Sequence, residues 1–118
     1  MRVQLEAQTL RLRIDEAELA QLLAGGHAEN RTVLPDGRVE IQQVRLAAEL
    51  GWQRDDAHWR IDLPDAEVRA LSARLPSREG LQFALATAAG GTLQLLFDVD
   101  VRDSARKRLH QSSKGDAA

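Results

Sequence analysis

Hydrophobic residues occupy alternate positions through most of this chain, and a helical stripe interrupts the alternation twice. Val3 and Leu5 stand among Arg2, Gln4 and Glu6, and after a link at Ala7-Gln8 the alternation resumes as Leu10, Leu12 and Ile14 against Arg11 and Arg13. A period of two sends one set of side chains to a core and the other to water, so these segments predict two half-buried strands joined as a hairpin. Asp15 then stands where an N-cap belongs and Glu18, three residues on, completes an acidic capping box. Leu19, Leu22 and Leu23 supply the i, i+3, i+4 stripe of a short helix. Gly25-Gly26 ends it, because glycine enters the left-handed conformation of a helix terminus without steric cost.

The polar stretch from His27 to Leu34 predicts a third strand, turned by Pro35-Asp36-Gly37 into a fourth that carries Val39 and Ile41. At Gln43-Val44 the apolar phase shifts from odd to even positions, continuing as Val44, Leu46, Ala48, Leu50 and Trp52. Such a slip exchanges the two faces of a strand, which predicts a bulge or corner near Gln42 to Val44 and a long strand after it. Beyond a polar turn at Gln53 to Ala57, Trp59, Ile61 and Leu63 form another inward row. Pro64 suits the first turn of a second helix, whose buried stripe is Val68, Leu71 and Leu75. Pro76 to Gly80 breaks that helix. Leu81, Phe83 and Leu85, the turn Ala88-Ala89-Gly90-Gly91, and Leu93, Leu95, Phe97 and Val99 then predict a last hairpin.

The two halves repeat one another. With Ile14 placed over Leu63, Arg11 falls on Arg60, Leu12 on Ile61, Ala17 on Ala66, Glu18 on Glu67 and Leu22 on Leu71. Each half reads strand, strand, helix, strand, strand, with units at about 1–43 and 44–100. The fold class that follows is α+β: antiparallel sheets, related by a pseudo-twofold axis and packed as a sandwich or partly closed barrel, with two short helices. One domain is predicted over 1–103, and the small, basic and polar composition of 104–118 predicts a flexible tail.

The opening Arg2-Val3-Gln4-Leu5, then Leu10-Arg11-Leu12-Arg13-Ile14, Glu18 to Leu22 and Gly25-Gly26, resembles a family of small uncharacterised bacterial proteins of about this length. The likeness extends through Trp59 to Pro64 and on to the strand near Leu93. It implies a compact stand-alone bacterial protein and carries no implication about catalysis.

Composition narrows the chemistry. The absence of cysteine removes disulfides, thiolate catalysis and zinc-thiolate sites, and sixteen basic against eighteen acidic residues leave a net charge of −2, which disfavours a nucleic-acid partner. No run approaches the roughly 20 apolar residues of a membrane span, and the first residues lack a secretory core, so a cytoplasmic location and no membrane partner are expected.

Arg11, Arg13, Arg60 and Asp62 project from the solvent side of the two equivalent strands. Arginines so placed either grip a phosphate or carboxylate in two-pronged fashion, or decorate an exposed sheet face and pair across strands. Trp52 and Trp59 flank one turn and belong to the core, to a pocket rim or to an interface. His27, His58 and His110 lack metal-ligand spacing. Asp98 and Asp100 share a strand face but have no calcium-loop context, and Arg106-Lys107-Arg108 is too short an arm for useful polyanion binding. No catalytic residue, metal or cofactor is assigned. The leading reading is a non-catalytic binding module that meets an unknown protein partner, or a second copy, through an edge strand. The other is a small-ligand binder or enzyme built on a patch of Arg11, Arg13 and Arg60.

Overall fold

The computed structural model describes residues 1–101; the predicted tail lies outside the described residues. The chain runs β1 (Arg2–Glu6), β2 (Thr9–Asp15), α1 (Glu16–Leu23), β3 (His27–Val33), β4 (Val39–Ala47), β5 (Gly51–Asp55), β6 (His58–Pro64), α2 (Asp65–Ala73), β7 (Leu81–Ala86) and β8 (Thr92–Asp100). Two four-stranded sheets result. Sheet I has the order β1-β2-β8-β7 and sheet II the order β3-β4-β6-β5. The hairpins are antiparallel, as the alternation implied. The centre of each sheet is instead a parallel pair, β2 with β8 and β4 with β6, so both sheets are mixed.

Each unit gives one hairpin to each sheet. After β2 the chain crosses through α1 into sheet II, and after β6 it returns through α2 to sheet I. Exchanging the units maps β1, β2, β8 and β7 onto β5, β6, β4 and β3, so the architecture carries the twofold relation read from the sequence. Even the tight turns repeat, with Ala7 at φ 49° and Asp56 at φ 53° in equivalent places. Among the described residues the sheets do not close into a barrel, and β1, β7, β3 and β5 remain edges.

One cluster of buried side chains joins the layers. It takes Leu10, Leu12 and Ile14 from β2, Ile61 and Leu63 from β6, Val44 from β4, and Leu95, Phe97 and Val99 from β8. The helices add Leu19, Leu22, Val68 and Leu71. Burying a large apolar side chain is worth about 1.5–3 kcal/mol, so this cluster, drawn from both units, is the main force holding the two sheets together. Among the described residues no helix is long and apolar enough to cross a membrane.

Two expectations are corrected. β4 is a single strand that keeps register with β3 and β6 throughout, so there is no bulge near Gln42 to Val44. Gln42 faces inward beside Val44 and is buried, its Oε1 accepting a 2.9 Å hydrogen bond from Asn30, while Val39 and Ile41 lie on the outer face. A buried amide with a partner is tolerated where an apolar residue was anticipated, and that substitution imitates a phase slip. The long strand from Val44 to Trp52 is likewise broken at 48–50, which moves the meeting point of the units there.

The helix ends differ between the units. Asp15 caps α1 through its side chain, which accepts from the Glu18 amide at 2.7 Å, and Glu18 Oε1 accepts from the Asp15 amide at 3.2 Å. Gly25, at φ 91°, sends its amide to the Leu22 carbonyl. Pro64 occupies the cap position of α2 rather than its first turn, and no side chain among the described residues caps that helix. Asp15→Ala should therefore cost about 1 kcal/mol, measured by urea unfolding. A shift below about 0.3 kcal/mol would mean that water replaces the box at no cost.

Candidate binding site

The two units are not equal where the second helix ends. Three residues, 24–26, connect α1 to β3, whereas seven, 74–80, connect α2 to β7. The longer link folds back on itself. Arg74 Nη1 donates to Ser77 Oγ at 3.1 Å and to the Glu79 carbonyl at 3.2 Å. Ser77 Oγ accepts from the Glu79 amide at 3.2 Å and lies 3.0 Å from the Glu79 carbonyl, to which it donates. Gly80 then lies so close to β8 that a Cβ there would collide with the Phe97 carbonyl and the Asp98 carboxylate. This contact brings the link over the edge of sheet I and sets Arg78 beside the strands.

A groove of about 540 Å³ follows, lined by Arg11 and Arg13 of β2, Ser77, Arg78, Glu79 and Gly80 of the link, Asp98 and Asp100 of β8, and an apolar part made by Leu71, Leu75, Val99 and Val101. A second concavity of about 490 Å³ shares Arg11, Arg78, Glu79, Gly80 and Asp98, but not Arg13, and reaches Leu81 and Gln82 at the start of β7. Arg78 therefore stands at the junction between the groove and the free edge of the sheet.

Charge within the groove is unevenly paired. In sheet II, Arg45 and Asp62 face each other across β4 and β6, and Arg45 Nε donates to Asp62 Oδ1 at 2.8 Å. That hydrogen bond, helped by the carboxylate's charge, raises the Arg45 pKa above its already high ordinary value. The equivalent pair in sheet I is Asp98 and Arg13, with the charges exchanged. Asp98 is engaged instead by Arg11, whose Nε lies 3.2 Å from Asp98 Oδ2. The contact is ionic only: Oδ2 is buried and receives no hydrogen bond among the described residues. Arg13 and Arg78 are left without an ion pair among the described residues.

The patch anticipated from Arg11, Arg13, Arg60 and Asp62 is thus divided. Arg11 and Arg13 lie on the outer face of sheet I and line the groove, while Arg60 and Asp62 lie on β6 in sheet II, with Asp62 committed to Arg45. Arg78 was missed, because Pro76 to Gly80 reads as a helix breaker. The signal available was the greater length of this link when the halves are aligned.

Trp52 and Trp59 come together on the inner face of sheet II. Their ring centroids are 5.9 Å apart and the planes stand at 62°, with the Arg54 guanidinium 5.9 Å from the Trp59 centroid. Trp59 packs against the core and Trp52 is 39% exposed. The register places Leu10 where Trp59 stands and Leu95 where Gln42 stands, so this end of sheet II is the more polar of two equivalent ends. No protein-family model matches the chain, and no curated protein is significantly similar to it.

Proposed function

We propose that this chain is a non-catalytic binding module that takes up an extended segment of a partner protein as an added strand on the free edge of β7. The supporting observation is the character of that edge. β1, β3 and β5 carry charged side chains, which discourage edge pairing, whereas β7 reads Leu-Gln-Phe-Ala-Leu-Ala and carries none. Its Leu81, Phe83 and Leu85 are half-buried on the inner face, giving an apolar flank for alternate residues of an incoming strand, and its exposed Gln82, Ala84 and Ala86 offer no steric barrier on the other. A cytoplasmic place of action, in a bacterium, belongs to the same proposal.

The test uses the intact protein and a synthetic random octapeptide library immobilised through its N-termini. Retained peptides are then mapped by amide chemical shifts. Shifts and new exchange protection centred on β7 support the reading. Retention of no peptide, or shifts confined to β1, β3 or β5, would remove it.

A further inference from the structure

We infer that the segment received on β7 runs antiparallel to it and ends there, its free C-terminal carboxylate held by Arg78. The inference rests on the strand-addition reading above and adds the direction, the chain end and the recognising groups. A strand antiparallel to β7 enters beside Ala86 and leaves beside Leu81, and Leu81 is where the concavity bearing Arg78 begins. The edge cannot be followed further, because the next residue, Gly80, is pressed against β8 at Phe97 and Asp98 and the link climbs away through Arg78. A segment arriving here thus meets the Arg78 guanidinium at the point where its pairing track stops.

The electrostatics suit a single carboxylate. Of the two arginines lining the concavity at Leu81, Arg11 is engaged with Asp98, while Arg78 has no ionic partner among the described residues; the neighbouring Glu79, also in the lining, is exposed and has its carboxylate in no ion pair among them. Arginine's planar fork matches a carboxylate in two-pronged geometry. A terminal carboxylate lies in line with its own strand, whereas an Asp or Glu side chain would leave toward one face. The link is also held in place: Arg74 and Ser77 fix it through hydrogen bonds within the link itself, which limits the ordering left to be done on binding. Side chains of the ligand that share a face with Leu81, Phe83 and Leu85 should be apolar, and those between them small or polar.

The experiment takes the best peptides from the octapeptide library, resynthesised with a free or an amidated C-terminus, and measures Kd by fluorescence anisotropy against the wild-type chain and Arg78→Ala. Arg78 is exposed and at the surface, so the variant should fold, which circular dichroism confirms. Amidation should weaken wild-type binding about tenfold or more, the usual scale for losing a charge-assisted pair. The same amidation should change Kd less than threefold in Arg78→Ala, because the group that reads the carboxylate is gone. Equal binding of amide and acid to the wild type would overturn the carboxylate inference while leaving strand addition intact. Shifts showing the peptide parallel to β7 would do the same. Retention of no peptide, or β7 amides already protected by a second copy of the chain, would overturn both together.

Discussion

Truncation of Phe97 to alanine should lower the unfolding free energy by about 3–5 kcal/mol, the range for removing a fully buried aromatic ring from a core that cannot collapse around the gap. Total stability for such a domain is about 5–15 kcal/mol, so the loss is a large fraction of what holds the chain folded. Phe97 stands on β8 directly between Leu12 of β2 and Leu81 of β7, and so ties the first hairpin to the last. Its counterpart Val44 stands between Ala28 and Ile61 in sheet II. Val44→Ala removes two methyl groups and should cost about 2 kcal/mol. Because each sheet contains strands of both units, neither can melt alone. The only tryptophans, Trp52 and Trp59, lie in sheet II and far along the chain from Phe97. Their fluorescence should nevertheless report the Phe97→Ala loss at the same urea concentration as circular dichroism. Two separated transitions, or a loss no greater than that of Val44→Ala, would show that the ring does not sit in a core common to both sheets.

That cooperativity explains what the sequence could and could not disclose. Strand faces follow from a period of two, so Leu12 and Ile61 were assigned to the interior from their neighbours alone, and both are fully buried in one cluster. Asp15, Glu18 and Gly25 carry their own local chemistry and end α1 where they stand. Sheet order is different in kind. Whether β2 lies beside β8 or beside another strand depends on how two helices return the chain, and no residue within β2 records it. The same gap misplaced Arg60, which aligns with Arg11 but belongs to the other sheet. Gln42 misled for a further reason. Its burial is satisfied by Asn30, twelve residues away, and a hydrogen bond to a distant partner leaves no trace in the alternation. Arg78 was hidden by its surroundings. A loop of Pro, Ser, Arg, Glu and Gly gives no period, and only the mismatch in length between two aligned units marks it as more than a connection.

Gly80 is the residue in that loop on which both the fold and the groove depend. In Gly80→Ala the new methyl group meets the Phe97 carbonyl and the Asp98 carboxylate, so backbone as well as side chain must move. Overpacking of this kind costs about 1–3 kcal/mol. Replacing glycine also restricts the unfolded chain and returns about 0.4–1 kcal/mol where the native backbone accepts alanine. The clash is with a central strand of sheet I rather than with the end of a flexible side chain, so the penalty should win and leave a net loss of about 1–2 kcal/mol. Gly51→Ala is the matched control. Its methyl would meet only Asp62 side-chain atoms at 3.5 Å or beyond, an ordinary contact, and it should unfold within about 0.5 kcal/mol of the wild type. The two variants also separate at the site. Displacement of Asp98 in Gly80→Ala breaks its ion pair with Arg11 and lifts Arg78 from the edge of β7, so affinity for a free-carboxylate peptide should fall along with stability. Gly51→Ala, which alters sheet II, should bind as the wild type does. If the two variants unfold together, Gly80 does not press against β8 and the groove is not built as described. If Gly80→Ala is destabilised yet binds the peptide unchanged, Arg78 is not placed by this contact.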